Sequence, residues 1–291
     1  MKAIIFGING QDGFYLQSLL QQQGIEVIGI SRHDDHIKAD ITSFEDVQSL
    51  VKEYQPAFIF HLAANSTTRH EVMFENHQTI STGTLNILEA VRLHSPHAKV
   101  FISGSGLQFF NNNQPIKETD PFEARDAYSV SRIQSVYAAR YFRSRHGIKT
   151  YVGYFFNHDS PRRSERHVAQ KIARAAKQIS MGSNERLLIG DINTIKEWTF
   201  AGDVVEGIWC LVNQDKVFEA NLGSGIGYSI ANFLTECFSL IGKNWKDYVD
   251  VEKEFEAEYK QLVSDSSLIQ SLGWKPKTSL KQLAQLMLEQ A

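Results

Sequence analysis

Tyr128 and Arg132 stand four residues apart in a stretch, Asp126 to His146, whose pattern predicts a long helix, so their side chains share one face. A cation beside a phenol favours phenolate, which lets a tyrosine trade protons with a hydroxyl or carbonyl near neutral pH. On an isolated helix the same spacing is more often a packing pair, so its chemistry depends on what the fold brings alongside. The second chemical stretch is Phe6-Gly7-Ile8-Asn9-Gly10-Gln11-Asp12-Gly13, with glycines at three-residue spacing. Glycine there supplies positive φ, admits a pyrophosphate close to the backbone, and leaves the first amides of a following helix aimed at the anion.

Elements must hold these groups in place. Ala3-Ile4-Ile5-Phe6 reads as a strand, and Phe14, Leu16, Leu19 and Leu20 recur on one helical face after the glycines. A glycine turn between strand and helix is the dinucleotide-binding fingerprint. Further strands are predicted at Val27–Ile30, Phe58–Leu62, Lys99–Ser103, Thr150–Phe155 and Val217–Leu222. Helices are predicted at Thr84–Val91, Val168–Ile179 and Asp203–Val212, with two more towards the C-terminus and a helix stop at Leu272-Gly273-Trp274-Lys275-Pro276. In the long helix Val130, Ile133, Val136, Tyr137 and Tyr141 recur at helical intervals. Strand and helix alternate, which predicts an α/β fold with a doubly wound parallel Rossmann sheet and a smaller, interleaved C-terminal substrate-binding domain. The expected division is 1–157 with 190–222 for the dinucleotide domain, and 158–189 with 223–291 for the substrate domain.

Composition narrows the function classes. The chain has 291 residues, 42% of them hydrophobic, and a net charge of −3, ordinary for a globular protein and without a basic footprint for nucleic acid. Cys210 and Cys237 lack metal-ligand spacing and read as small buried hydrophobes of a reducing compartment. No apolar run reaches membrane-spanning length and no leader precedes the first strand, so a cytoplasmic protein is expected. His33-Asp34-Asp35-His36 invites a metal reading, but a contiguous run after a strand seldom converges its side chains, and no metal is expected.

Several segments together carry a family resemblance: Gly7-Ile8-Asn9-Gly10-Gln11-Asp12-Gly13-Phe14-Tyr15-Leu16, His61-Leu62-Ala63-Ala64-Asn65-Ser66, Gly83-Thr84-Leu85-Asn86-Ile87-Leu88-Glu89-Ala90, Phe156-Asn157-His158-Asp159-Ser160-Pro161-Arg162-Arg163 and Glu197-Trp198. The chain resembles an extended short-chain dehydrogenase/reductase of the NAD-dependent epimerase/dehydratase family, specifically its GDP-mannose 4,6-dehydratase branch. The Asn-His-x-Ser-Pro-Arg-Arg loop is the most specific of these segments. The resemblance implies a catalytic tyrosine and lysine on the long helix and a Ser or Thr and a Glu at the end of the fourth strand. Tyr128 matches the tyrosine, while Arg132 stands at the lysine position. The strand end reads Ser103-Gly104-Ser105-Gly106, where the family pattern places Thr at position 104 and Glu at position 106. Ser103 or Ser105 is left to polarise the sugar oxygen. Arginine keeps the cation but not the shape, and never deprotonates.

A 4,6-dehydratase moves a hydride from C4, removes the C5 proton with a base, expels the C6 hydroxyl, and returns hydride to C6. Glutamate serves the middle steps and glycine cannot. Three readings stay open: a dehydratase-like enzyme using substitute residues, a 4-keto-sugar reductase or epimerase that never needed the glutamate, and a nucleotide-sugar binder without catalysis. For the cofactor, Ser31-Arg32 at the end of the second strand suits a 2′-phosphate and favours NADP, with NAD the alternative because Asp34 or Asp35 could reach a free ribose. The resemblance adds Asp40 at the adenine and Leu62-Ala63-Ala64 along the adenosine and pyrophosphate, and it implies that Asn157 lies beside the sugar, Arg162, Arg163, Lys171 and Lys196 around a nucleotide-sugar pyrophosphate, and Trp198 at the site wall. It further implies a GDP-sugar and a homodimer packed through the long helix and its neighbour.

Overall fold

In the computed structural model, which describes residues 1–32, 36–65, 67–252, 254–255 and 257–290, strands and helices alternate from the start. In chain order they are β1 (Lys2–Phe6), α1 (Gln11–Gln22), β2 (Glu26–Ser31), β3 (Ile37–Lys38), α2 (Phe44–Tyr54), β4 (Phe58–His61), α3 (Met73–Asn76), α4 (Gly83–His94), β5 (Lys99–Ser105), α5 (Ala127–His146) and β6 (Lys149–Phe155). The second half adds β7 (His158–Asp159), α6 (Val168–Ser180), β8 (Leu187–Ile189), β9 (Ile195–Lys196), β10 (Thr199–Phe200), α7 (Ala201–Val212) and β11 (Glu219–Leu222). It ends with β12 (Tyr228–Ser229), α8 (Ile230–Leu240), β13 (Val249–Val251), β14 (Gln261–Leu262), α9 (Ser267–Ser271) and α10 (Leu280–Glu289).

Seven strands form one parallel sheet in the order β11-β6-β5-β4-β1-β2-β3. Its strands are apolar on both faces, as a doubly covered sheet requires. Ile4 and Phe6 of β1 pack on one side with α2, α4 and α5, through Val47, Leu88 and Val136. Ala3 and Ile5 pack on the other with α1 and α7, through Leu16, Leu20 and Ile208. The expected α/β class is therefore borne out. Strand order reverses between β1 and β4, and such a reversal opens a crevice beyond the carboxyl ends of the strands.

Helix starts set the geometry of that crevice. Asp126 caps α5, accepting from the Ser129 amide at 2.8 Å while the Ser129 hydroxyl receives the Asp126 amide at 3.0 Å. The cap fixes where α5 begins, and hence where Tyr128 and Arg132 lie. By contrast Gly10 precedes α1 with no side-chain cap, so the first amides of that helix keep no side-chain partner there. The stretch after Phe156 is not wholly loop: β7 pairs in parallel with β10 and brings residues 158–159 against residues 199–200. A third core lies among α6, α8 and α10, around Phe233, Phe238 and Met287. Short strands tie it to the rest, with β9 between β12 and β14.

On α5 the buried residues are Tyr128, Ser129, Ser131, Arg132, Ser135, Val136, Ala139 and Phe142. Val130, Tyr137 and Tyr141, expected on an apolar face, are instead exposed, at 38%, 57% and 55%. The inward face of this helix is largely small and polar: Tyr128 and Arg132 reach the cavity, while Ser131 and Ser135 donate to backbone carbonyls of Ala127 and Ile80.

Candidate active site

The crevice holds a cavity of about 760 Å³ that touches the glycine turn, the ends of β4 and β5, the start of α5 and the 157–167 segment. Its first wall is made of backbone. Gly7 has φ +91°, and a Cβ there would lie 2.6 Å from the Ala63 amide nitrogen. A Cβ on Gly13 would lie 2.4 Å from the Gly7 carbonyl oxygen. Only glycine permits that packing, and it leaves the uncapped start of α1 beside open space, the cradle a pyrophosphate needs. Asn9, Gly10, Gln11, Asp12, Leu62 and Ala64 line the same cavity, while Ala63 packs behind the turn.

Ser31, Arg32 and Asp40 lie beyond that cavity, near the outer end of β2. Ser31 accepts from the Asn9 side-chain amide at 2.8 Å, which links the strand end to the glycine turn. The Arg32 guanidinium is 70% exposed and lies 3.7 Å from Glu75. Asp40 receives the Thr42 amide at 2.9 Å and so closes a turn ahead of α2. His33, Asp34 and Asp35 lie outside the described residues, and with them most of the sequence run that invited a metal reading. Among the described residues no group of three or more His, Cys, Asp or Glu side chains could hold a metal ion.

At the reacting end the structure separates Ser103 from Ser105. The Ser103 hydroxyl donates to the His61 carbonyl at 2.9 Å and accepts from Arg132 Nη1 at 2.7 Å, and the same Nη1 also donates to the Ser103 carbonyl. Both of its roles are taken. Ser105 accepts from the Leu107 amide at 3.2 Å, while among the described residues its own hydrogen has no acceptor. Tyr128 shares the cavity with both serines, and the Arg132 guanidinium lies 5.0 Å from the centre of its ring. Among the described residues Arg132 Nε is buried without a hydrogen-bond partner, as are the nearby His61 Nδ1 and Gln108 Nε2. Burial, together with the Arg132 charge, pulls the His61 imidazole behind this layer down to about 3.

Gly104 and Gly106 are not the inward positions. A Cβ on Gly104 would meet the Tyr154 ring at 2.6 Å, and one on Gly106 the Phe156 ring at 2.9 Å. The residues that face the cavity are Ser105 and Leu107. Side chains alternate along a strand, so a shift of one residue in alignment exchanges the two faces. The place where a family glutamate could act is thus held by Leu107, with serine retained at Ser105.

The loop after β6 forms the third wall. Asn157 accepts from the Tyr259 hydroxyl at 3.3 Å, and Arg162 packs 4.0 Å above the Phe14 ring. Arg163 reaches Asp159 at 3.5 Å, and both arginines line the cavity. Three expected substrate residues lie elsewhere. Lys171 is exposed on α6 and outside the cavity lining. Lys196 is buried, its amine 4.3 Å from the Trp198 ring, and burial pulls its pKa down against the opposing charge of Asp159. Trp198 stacks on Phe233 at 4.2 Å within the third core and donates to the Tyr228 carbonyl at 3.0 Å, so it supports the site from behind and forms none of its wall.

Residues that the sequence reading passed over also converge here. Glu258 lines the cavity and receives the Thr68 hydroxyl at 2.7 Å, close to a side recess of about 330 Å³ that it shares with Leu107 and Asp126. His158 bonds Asp12 at 2.9 Å. A carboxylate so distant in sequence carried no local signal, whereas His158 stood inside the loop already singled out.

A doubly wound sheet, a glycine turn at its switch point and a tyrosine with a cation beside a strand-end serine define a short-chain dehydrogenase/reductase. The family model described as GDP-mannose 4,6 dehydratase matches residues 4–287, and the chain belongs to that family. GDP-mannose 4,6 dehydratase 2 of Arabidopsis thaliana is 31% identical over 320 residues, covering 99% of this chain and 86% of that protein. Among solved structures, RMD from Pseudomonas aeruginosa complexed with NADPH superposes with a TM-score of 0.87 at 20% identity, covering 99% and 98% of the two chains. A dTDP-glucose 4,6-dehydratase from Bacillus anthracis in complex with NAD gives a TM-score of 0.87 at 18% identity, covering 100% and 96%.

Proposed function

We propose that the protein is an NADP-dependent nucleotide-sugar-modifying enzyme acting at C4 of a GDP-hexose or its 4-keto-6-deoxy derivative. The observation that supports this reading best is the meeting in one cavity of the glycine turn, Tyr128 with Ser105 and Arg132, and the Arg162–Arg163 loop. The glycine cradle, the uncapped start of α1 and the unpartnered Arg132 Nε suit a dinucleotide, held by Gly7, Asn9, Gly10, Gln11, Asp12, Gly13, Leu62, Ala63 and Ala64, with Ser31, Arg32 and Asp40 towards its adenosine end. When bound, a nicotinamide dinucleotide supplies a hydride donor and acceptor. Tyr128 takes or gives the proton at the sugar O4, Ser105 Oγ donates a hydrogen bond to that oxygen, and Arg132 keeps a fixed positive charge beside the phenol. Arg162 and Arg163 neutralise the pyrophosphate of the sugar nucleotide, and Asn157 contacts the sugar. Lys171, Lys196 and Trp198 act outside this contact layer.

Leu107 at the inward position favours hydride and proton exchange at C4, as in a reductase or epimerase, over elimination. Glu258 supports a second reading, because it places a carboxylate on the same cavity and could serve as the base of a dehydratase. Purified protein given NADP(H) and either GDP-mannose or its 4-keto-6-deoxy product, followed by nicotinamide absorbance and product mass, separates the two. The expected result is reduction or epimerisation of the keto sugar, with loss of water from GDP-mannose appearing only in Leu107→Glu with Arg132→Lys. Dehydration by the natural protein that Glu258→Gln abolishes would establish the second reading. Tight nucleotide-sugar binding without turnover would leave a binder. Leu85 and Leu93 of α4, with Val130, Tyr137 and Tyr141 of α5, present exposed apolar side chains suited to a homodimer. Sedimentation should give a dimer that Tyr137→Glu with Tyr141→Glu converts to monomer. Among the described residues no helix is long and apolar enough to cross a membrane, and Cys210 and Cys237 are free thiols, which supports a cytoplasmic location.

A further inference from the structure

The first turns of α1 do two jobs at once. Their amides face the dinucleotide cradle, and their side chains grip the 157–163 loop at several points. Gln11 donates to the His158 carbonyl at 3.3 Å and accepts from the Ser160 hydroxyl at 2.8 Å. Asp12 bonds His158 Nε2 at 2.9 Å, and the other ring nitrogen is bound to the Phe156 carbonyl at 2.8 Å. Phe14 carries Arg162 on its ring. Gln11, His158 and Ser160 are buried, and Asp12 and His158 have side-chain exposures of 19% and 7%. No shift of the loop leaves these contacts intact.

Charge makes the arrangement more than a packing feature. Asp12 lies in the first turn of α1, where an anionic ligand is otherwise favoured. An unpaired carboxylate at that place repels a pyrophosphate. Burial opposes charge on both partners, yet Asp12 is held below its ordinary value by His158 and, less, by Arg163, and His158 is held above its own by Asp12 against the Arg163 charge. Between the lowered Asp12 value and the raised His158 value the pair carries no net charge, and its contact exists only while the 157–163 loop is docked on α1.

The geometry points to His158 as a positioning residue that makes binding of the dinucleotide and of the nucleotide sugar mutually dependent. Docking of the loop places Arg162 and Arg163 for one ligand and neutralises Asp12 for the other, so each ligand stabilises the state the other needs. Reciprocity of linked binding then requires equal effects in both directions. This inference rests on the nucleotide-sugar reading given above.

The test uses NADP⁺ and GDP as probes on the full chain, titrated calorimetrically one at a time and together. Saturating NADP⁺ is expected to tighten GDP about tenfold, and GDP to tighten NADP⁺ by the same factor. In His158→Gln the coupling should fall below about twofold, with NADP⁺ weakened about tenfold because Asp12 is left uncompensated. Adding Asp12→Asn to that variant should restore NADP⁺ affinity while coupling stays lost, an outcome that a merely structural role of His158 does not produce. Thermal unfolding confirms that the variants fold. If His158→Gln does not fold, Ser160→Ala, which removes the bond to Gln11 and the one accepted from the Arg162 amide but leaves the His158–Asp12 contact in place, should lower coupling by about half on a logarithmic scale. Binding of both probes without coupling, coupling unchanged in the folded variants, or no recovery in the double variant overturns the inference alone. No binding of GDP to the natural protein at any NADP⁺ concentration overturns the nucleotide-sugar reading and the inference with it.

Discussion

The two ends of the cavity are built from different materials. At the glycine turn backbone rests on backbone: added Cβ atoms on Gly7 and Gly13 would sit 2.6 Å and 2.4 Å from main-chain atoms that cannot rotate away. At the reacting end the chemistry is carried by side chains that project from strand and helix, Ser105, Leu107, Tyr128 and Arg132, and each can change type without moving the main chain. The difference teaches why one end keeps its family pattern while the other departs from it. A site made of backbone loses its fold when its sequence drifts, and a site made of side chains can exchange a carboxylate for leucine or lysine for arginine and still be folded.

The largest expected effect lies at the reacting end. Tyr128→Phe removes one oxygen and keeps the ring under Arg132, so turnover should fall about a thousandfold while NADP affinity moves less than about twofold. Steady-state rates with direct cofactor titration check this; a matching loss of affinity would mean that the two ends are not separable. Next comes the opposite end. Gly13→Ala must displace main-chain oxygens, and should cost about 3 kcal/mol of stability and at least about a hundredfold in NADP affinity, read by denaturant unfolding and by titration. Full cofactor binding in that variant would show that the backbone cradle is not the site. A smaller change is expected at the cofactor's outer edge, where Arg32→Ala should weaken NADP about tenfold and NAD less than about twofold. Equal losses for the two would remove Arg32 from the 2′-phosphate.

This division also explains what the sequence made legible. The glycine run, the alternation of strands and helices and the extent of the long helix are patterns of the chain itself, and the structure has them where the chain order put them. Orientation at the strand end was not local. Ser103-Gly104-Ser105-Gly106 is a run of small residues with no apolar alternation to mark its faces, so the inward pair could be misassigned by one residue. The stripe of Val130, Tyr137 and Tyr141 has helical spacing on either face, and only the packing of α5 against α4 and the sheet decides which faces inward. Trp198 carried its family pairing with Glu197 but not its direction, which follows from Phe233 on the distant α8. Glu197 itself is fully buried, with burial pushing its carboxyl up, and it accepts from Ser224 and Ser264 on two separate loops. Glu258 entered the cavity through tertiary folding alone.

The mildest test of the comparison is the pH dependence of stability, because the buried histidines of the two ends contribute with opposite sign. Burial pulls His61 at the reacting end down to about 3, and burial with the nearby Arg163 charge pulls His167 down to about 4, whereas an unfolded histidine titrates near about 6.5. From about pH 6.5 down to about 4 the unfolded chain thus takes up protons that the native state refuses, and stability falls with acid. His158 at the cofactor end has its folded value raised above the unfolded one, so its contribution is complete below about 6.5 and is lost as pH rises through the folded value. Asp12, lowered, contributes above the unfolded carboxylate range and loses that contribution as pH falls through its folded value. Subtracting the urea midpoints of His61→Gln from those of the natural chain, pH by pH, should therefore give a difference confined to the acid limb. The same subtraction for His158→Gln should leave a difference on the alkaline limb, with a second one in the carboxylate range, where Asp12 has lost the partner that lowers it. An acid limb unaltered in His61→Gln would mean that this histidine is protonated in the native state, and that the layer behind Ser103 and Arg132 carries a second positive charge.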